Sequence, residues 1–357
     1  MKLRLDYARY RTAESRRRRM PMLTLLIIVT LLHTVVNGFH DGCNVIASIV
    51  SSRSMSPRQA LLIACLAELV GVLCLGVAVS RTIGTGIYSA NVLLMPAATV
   101  QTILLSAVIG CIAWNITTYI FRLPSSSSHA LIGGLIGAGI VVAGFRAILW
   151  KSFFCYVVIP LFVAPIIGFL LAYVLMKILL ALFRNFPPKI AVFFKKIQIG
   201  SLIFLAMSHG SNDAQKAIGI IGIALTAGSM PVLFQAPYWV VLACALAITV
   251  GLSFGGWQII KTINQQVPQM TSLHSCASQS VSGIVIYLAS IIGFPVSTTQ
   301  TVGSTIMGAG AGYRISNVRW GITQNIVLAW LITIPAAAVL AAITCIIIIK
   351  RKSLWAF

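Results

Sequence analysis

Acidic residues are almost missing from this chain: 357 residues include five Asp and Glu, against 26 Lys and Arg. Charged residues of both signs make up only 9% of it, where a soluble domain carries about 25%. So little charge cannot solvate a globular surface, which excludes a soluble enzyme or binding module. The apolar–polar alternation with a period of two that barrel strands need is also missing, so membrane spans here have to be helical. CxxC pairs are absent as well. The eight cysteines at 43, 65, 74, 111, 155, 244, 276 and 345 fall mostly inside apolar runs, where a free thiol behaves as a small hydrophobe. That argues against a disulfide framework and against a zinc site, and neither a metal nor a cofactor is expected.

What the chain has is apolar length. Hydrophobic residues make up 59% of it and the mean hydropathy is +0.97. Runs such as Pro21–Val36, Gln59–Ser80, Val158–Phe183 and Ile326–Ile349 approach or exceed the roughly 20 residues that cross a bilayer as a helix. The length leaves room for about ten spans and no sizeable soluble domain. The net charge of +21 is distributed for topology rather than for nucleic acid. Eight basic residues crowd positions 1–20, three more are Lys350, Arg351 and Lys352, and others (Arg53, Arg58, Arg146, Lys151, Arg184, Lys189) fall between apolar runs. Such basic loops follow the positive-inside bias. The N-terminal region looks like a signal peptide, but no Ala-x-Ala-like cleavage site follows, and its apolar run leads into Asn37-Gly38-Phe39-His40-Asp41. It reads as a retained span. Arg16–Arg19 predict a cytosolic N-terminus, while Arg53 and Arg58, one apparent crossing later, pull the other way. Two arrangements reconcile them: residues 1–20 form a surface segment, or the polar motif turns the chain back within the membrane.

The rare acids are placed with purpose. Beyond Asp6 and Glu14 in the basic tail, Asp41, Glu68 and Asp213 lie in or beside apolar runs. A carboxylate there costs about 2.5–3.5 kcal/mol to insert, so it marks a polar pathway or a paired site. Asn37–Asn44 and Ser208–Lys216 each set an aspartate among small and amide residues. Downstream, Leu123-Pro124-Ser125-Ser126-Ser127-Ser128-His129 and Phe294-Pro295-Val296-Ser297-Thr298-Thr299-Gln300 each lead into a glycine-rich stretch. Asp41 precedes Pro124 by 83 positions and Asp213 precedes Pro295 by 82. The chain therefore reads as duplicated: membrane repeats at 21–183 and 196–349, a basic connecting loop at 184–195, and basic tails at 1–20 and 350–357. Internal repeats with interrupted helices point to a secondary transporter with a midplane site. A helix start rich in Ser and Thr offers hydroxyls, free N–H groups and the positive end of a dipole, which together hold an oxyanion. Ordinary N-capping and small-residue packing is the other reading of those clusters.

Gly38–Asn44, Ser208–Asp213, Pro124–His129 and Pro295–Gln300, taken in order, resemble the inorganic phosphate transporter (PiT) family, in its compact bacterial branch. The likeness covers nearly the whole chain after residue 20. It implies an all-α integral membrane protein of about ten transmembrane segments in two inverted repeats, with broken helices and re-entrant Ser/Thr hairpins, in the bacterial plasma (inner) membrane. Under that resemblance Asp41, Asn44, Asn212, Asp213 and Lys216 form the charged and amide floor. Ser125, Ser126, Ser127, Ser128, Ser297, Thr298 and Thr299 cradle the anion. Asp41, Asp213, Glu68, His129 and His209 handle the coupling ion or proton. The implied partners are inorganic phosphate, a coupling proton or cation and membrane lipids, with no nucleic acid and a homodimer left open. Two positions depart from the family pattern: Gln300 where His is common, and Gln279 where relatives often carry a glutamate. Both remove a titratable group from the second half. Lys216 stands where the first half has Asn44, so its ammonium would take a cation's place, which favours proton symport. A sulfate, metal-phosphate or Na⁺-coupled symporter, or a passive anion channel, are the alternatives. An intramembrane hydrolase on Ser128–His129 or Ser208–His209 is disfavoured, because sequence-adjacent side chains on a helix point in different directions. The expectation is a transporter and not an enzyme.

Overall fold

The computed structural model describes residues 2–123, 125–185, 187, 190–228, 236–255, 260, 265, 267 and 270–354, with only the backbone for 2–20, 190–191 and 352–354. Pro124, Lys189 and the side chains of Arg16–Arg19 lie outside the described residues. In chain order the principal helices are α1 (Lys2–Asp41), α2 (Cys43–Ser51), α3 (Pro57–Cys74), α4 (Ala78–Gly86), α5 (Ala90–Leu93), α6 (Ala97–Ile120) and α7 (Ser127–Ala143). They continue with α8 (Trp150–Phe153), α9 (Ile159–Leu182), α10 (Ile190–Thr226), α11 (Tyr238–Ser253), α12 (Ser272–Ile292), α13 (Thr298–Tyr313) and α14 (Trp320–Leu354). Among the described residues the only β pairing is an isolated bridge, Tyr88 with Ile148.

By length and composition six described helical segments can cross a membrane, from Pro21–Ser51 to Trp320–Arg351, and Ser127–Ala143 and Tyr238–Ser253 are shorter apolar helices. That is fewer than the ten read from the sequence. The chain does not turn back at the first polar motif. Gly42 is itself helical (φ −61°, ψ −25°), and α1 runs on into α2 as one 31-residue apolar segment. Of the two arrangements offered for the basic clusters, the turn within the membrane is excluded.

The packing is that of a bilayer protein, with small and polar residues inside and large apolar ones outside. On α3, Ala60, Ala64, Ala67, Glu68 and Gly71 are buried while Leu62, Leu66 and Val70 are exposed. The glycine-rich stretches of α7 and α13 let backbones touch. A Cβ at Gly137 would collide with Ala338 O of α14, and one at Gly308 with Phe169 O of α9. Gly137→Val should therefore force α7 from α14 at an overpacking cost of about 1–3 kcal/mol. The measurement is the apparent Tm of the detergent-purified protein, and an unchanged Tm would refute the contact.

Two helical hairpins organise the centre. Helices α6 and α7 form one and α12 and α13 the other. Helix α12 starts beside the first turns of α10, where the Gln198 amide donates to Ser272 O. Helix α6 starts just past the other end of α10, where Gly228 N donates to Leu93 O at 3.2 Å. The hairpins thus enter from opposite ends of α10 and meet at their tips, Ser128 Oγ donating to Val296 O at 3.1 Å.

Candidate functional site

At that meeting point the buried ionisable groups converge. Asp41 and Asp213 are each 1% exposed, Lys216 3% and Glu68 0%. Each aspartate faces the first turn of a hairpin helix. Ser127 N, at the first turn of α7, donates to Asp41 Oδ2 at 3.3 Å, and the Ser127 hydroxyl donates to the same oxygen. Thr298 Oγ1, at the first turn of α13, donates to Asp213 Oδ2 at 3.1 Å. Free N–H groups and the positive dipole end at a helix start favour negative charge, which offsets part of the cost of burying these carboxylates.

The pairings recur between the two halves. Asn44 Nδ2 donates to Thr299 Oγ1 at 2.9 Å, and in the corresponding place the Lys216 ammonium donates to Ser128 Oγ. His40 Nε2 lies 3.4 Å from Thr118 Oγ1, and Asn212 Nδ2 donates to Ser290 Oγ at 2.9 Å. Thr299 and Ser128, one hydroxyl at each hairpin tip, are thus met by a helix of the opposite half, while the Thr118 and Ser290 contacts stay within one half. Lys216 does not point to the interface. Besides Ser128 its Nζ donates to Asp213 Oδ1 at 2.6 Å and to Val296 O at 3.0 Å.

Behind Asp213 lies a chain of titratable groups. His209 Nδ1 is 2.6 Å from Glu68 Oε1, and His209 Nε2 is 3.4 Å from Asp213 Oδ2. An imidazole held between two carboxylates can donate to both only when doubly protonated, so this triad has room for one additional proton. A second imidazole, His40, sets Nδ1 2.7 Å from Asp41 Oδ1.

Other residues in the anticipated set sit elsewhere. Ser126 and Ser297 are helix N-caps, accepting from His129 N at 3.2 Å and Gln300 N at 3.3 Å. Ser125 Oγ turns to Thr118 Oγ1 at 2.8 Å. Asn212 also donates to Phe294 O at 3.3 Å and so ties α10 to the α12–α13 turn. His129 faces Gln300, Nδ1 to Nε2 at 2.9 Å. The broken helix anticipated at the second Asp motif is not there: α10 runs unbroken from Ile190 to Thr226. Gly210 serves close packing instead, since a Cβ there would lie 2.5 Å from Glu68 Cγ. The breaks fall in the turns before α7 and α13. Adjacent Ser and His do not pair: Ser208 Oγ donates to Phe204 O. A Gly-x-Ser-x-Gly string, Gly251 to Gly255, closes α11, and its Ser253 donates to Val250 O at 2.7 Å on an exposed surface.

Three close neighbours of the carboxylates and of Lys216 were outside that set. Asn37 joins the two aspartates, its Oδ1 2.6 Å from Ser127 Oγ and its Nδ2 3.4 Å from Asp213 Oδ2. It lies four residues before Asp41 and so shares its helix face, which was a usable signal. His40 was visible beside Asp41 in the motif. Val296 contributes a backbone carbonyl, which no side-chain pattern reveals.

A polytopic helical protein whose buried charges meet hydroxyls and amides between two hairpin tips has the construction of a membrane transporter. Comparison with known proteins narrows that class. The profile of the group described as "Phosphate transporter family" matches residues 37–189 and 183–341, and the chain belongs to this family. A "Probable low-affinity inorganic phosphate transporter" of Rhizobium meliloti is 40% identical over 325 residues, covering 90% of this chain and 95% of that protein. Its counterpart of the same description in Bacillus subtilis is 37% identical over 325 residues, with 90% and 96% covered. A solved structure described as "The sodium-dependent phosphate transporter" shares the fold, with a TM-score of 0.84, 24% identity, and 92% of this chain and 99% of that one covered.

Proposed function

We propose that the protein imports inorganic phosphate across the bacterial plasma (inner) membrane by proton symport. The membrane repeats 21–183 and 196–349 are inverted copies that alternate access to the site, with the charged segment 184–195 between them, and the full count of crossings is about ten. The oxyanion binds between the hairpin tips, taking donors from Ser127, Ser128, Thr298 and Thr299, with Asn44 and Lys216 alongside.

One observation carries the choice of the proton. The Lys216 ammonium lies 2.6 Å from Asp213 Oδ1, where a coupling cation would sit. The buried carboxylates Asp41, Glu68 and Asp213 therefore face a fixed positive charge, and His209 and His40 supply places for protons. Sulfate has no proton to give, so a site with an ionised carboxylate beside the anion favours phosphate.

Uptake of labelled phosphate into proteoliposomes tests this. An inward proton gradient should drive accumulation, a protonophore should abolish it, and excess sulfate should not compete. Glu68→Gln should keep phosphate–phosphate exchange but lose gradient-driven accumulation by about tenfold or more, the cost of one hydrogen bond to a charged group. Accumulation equal to the parent's would remove Glu68 from the proton path. Sodium coupling is the second reading, favoured by the shared fold with a transporter described as sodium-dependent. Accumulation that survives the protonophore and stops when choline replaces Na⁺ would establish it.

A further inference from the structure

A buried polar seam leaves the central site along α2, α10 and α12. Asn44 and Ser48 lie one turn apart on α2, and Ser275 Oγ of α12 donates to Ser48 Oγ at 3.1 Å, which leaves the Ser48 proton free to donate elsewhere. One turn on from Ser275, Gln279 accepts from Ser201 Oγ of α10 through Oε1 at 2.9 Å. Its Nε2 has no hydrogen-bond partner among the described residues, and neither does Oε1 of Gln198. Both glutamines are buried, at 1% and 0% exposure. An unpaired buried amide is costly: the Gln279 N–H groups call for an acceptor, and Gln198 Oε1 for a donor such as the O–H of a protonated oxyanion.

The seam continues in polar groups at both of its ends. Inside, Asn44 leads to Thr299. Outside, Ser54 Oγ meets Ser272 Oγ at 3.2 Å, next to the exposed Arg53. A cleft of about 360 Å³ lies there, lined by Arg184, Thr271 and Ser272. Setting the N-caps Ser126 and Ser297 in register pairs Ser275 with Leu104, Ser278 with Ala107, Gln279 with Val108, and Ser282 with Cys111. All four first-half residues are fully buried. Gln101, in the place of Ser272, is the polar exception there. The polar seam therefore exists in one half only, so it is not a general requirement of helix packing in this fold.

We propose that this seam is a second oxyanion subsite, through which phosphate passes between the central site and the Arg53–Arg184 end of the protein. It rests on the phosphate reading above. Arg184 attracts the anion to the cleft, and the two Gln279 N–H groups with the Ser48 hydroxyl hold it on the way. The amide is a suitable donor because it binds an anion without a fixed charge that would trap it.

Two measurements test the subsite. In the full-length chain reconstituted in liposomes, Ser275→Cys should react with an anionic methanethiosulfonate about tenfold faster than Leu104→Cys, read residue by residue by mass spectrometry, and phosphate should slow it. Gln279→Leu, and separately Gln279→Glu, should lower the uptake rate about tenfold, the loss expected for donors to a charged ligand. Phosphate binding to the central site, by calorimetry, should stay within about twofold. Equal labelling at the two cysteines, or parental uptake in both Gln279 variants, would overturn the subsite. A parent protein that binds no phosphate would instead defeat the substrate reading, while the labelling comparison still reports on the seam.

Discussion

Asp213→Asn should lower phosphate uptake by two to three powers of ten while the protein still reaches the membrane. The carboxylate is 1% exposed and receives Lys216 at 2.6 Å, Thr298 at 3.1 Å and Asn37 at 3.4 Å. Removing one partner of a buried ion pair costs about 3–5 kcal/mol, because the other charge is left uncompensated. At 1.4 kcal/mol per decade that is two to three powers of ten. Here the stranded charge is the Lys216 ammonium, which would turn to the substrate and hold it too tightly or pull the hairpin tips out of register. Asp41→Asn should be nearly as severe through its links to Ser127 and His40, although it strands no lysine. The double variant Asp213→Asn/Lys216→Met separates the effects. It should recover thermal stability, because no buried charge is left alone, but not uptake. Normal uptake by Asp213→Asn, measured against membrane abundance, would remove the aspartate from the site.

The extent to which this site could be read from one sequence follows from which residues are rare in it. Asp41 and Asp213 stand out because carboxylates are scarce in apolar runs, and their spacing to the Ser/Thr clusters is nearly the same in both halves. Both are properties of the chain itself. The partner of Glu68 was not readable, since His209 lies 141 positions away and only the packing of α3 on α10 joins them. Gly210 was open to two meanings, a helix break or a close approach. Its contact with Glu68 selects the second, and α10 stays whole. Within the hydroxyl clusters, composition could not separate Ser126 and Ser297, which cap helices, from Ser127 and Thr298, one residue later, which reach the carboxylates. One step along a helix start rotates a side chain by about 100°, enough to move it from capping to ligand distance. The number of crossings suffers from a related ambiguity, because hairpin arms such as α7 are apolar yet shorter than a full span.

Lys216→Asn should change which ion drives transport, and it is the change with the most to say about coupling. The two halves present the same pairing with different chemistry, Asn44 to Thr299 in one and Lys216 to Ser128 in the other. A lysine ammonium is a compact point charge with three donors. At 2.6 Å from Asp213 Oδ1 and 3.0 Å from Val296 O it occupies the oxygen cage that a small cation would need. Replacing it with Asn withdraws the charge and adds a carbonyl oxygen to that cage, which then holds a carboxylate, a backbone carbonyl and hydroxyls. Hard cations prefer oxygen ligands of this kind. Phosphate uptake by Lys216→Asn in sodium-free medium should fall about a hundredfold, consistent with losing a buried ion pair of about 3 kcal/mol. Adding Na⁺ should restore a substantial part of it, and the restored flux should follow the sodium gradient. Lys216→Met, which removes the charge without supplying an oxygen, should lose uptake to a similar degree and gain nothing from Na⁺. That contrast separates a new cation site from relief of crowding. If Na⁺ rescues both variants or neither, the ammonium is not standing in for a cation, and the proposed proton coupling has to rest on Glu68 and His209 alone.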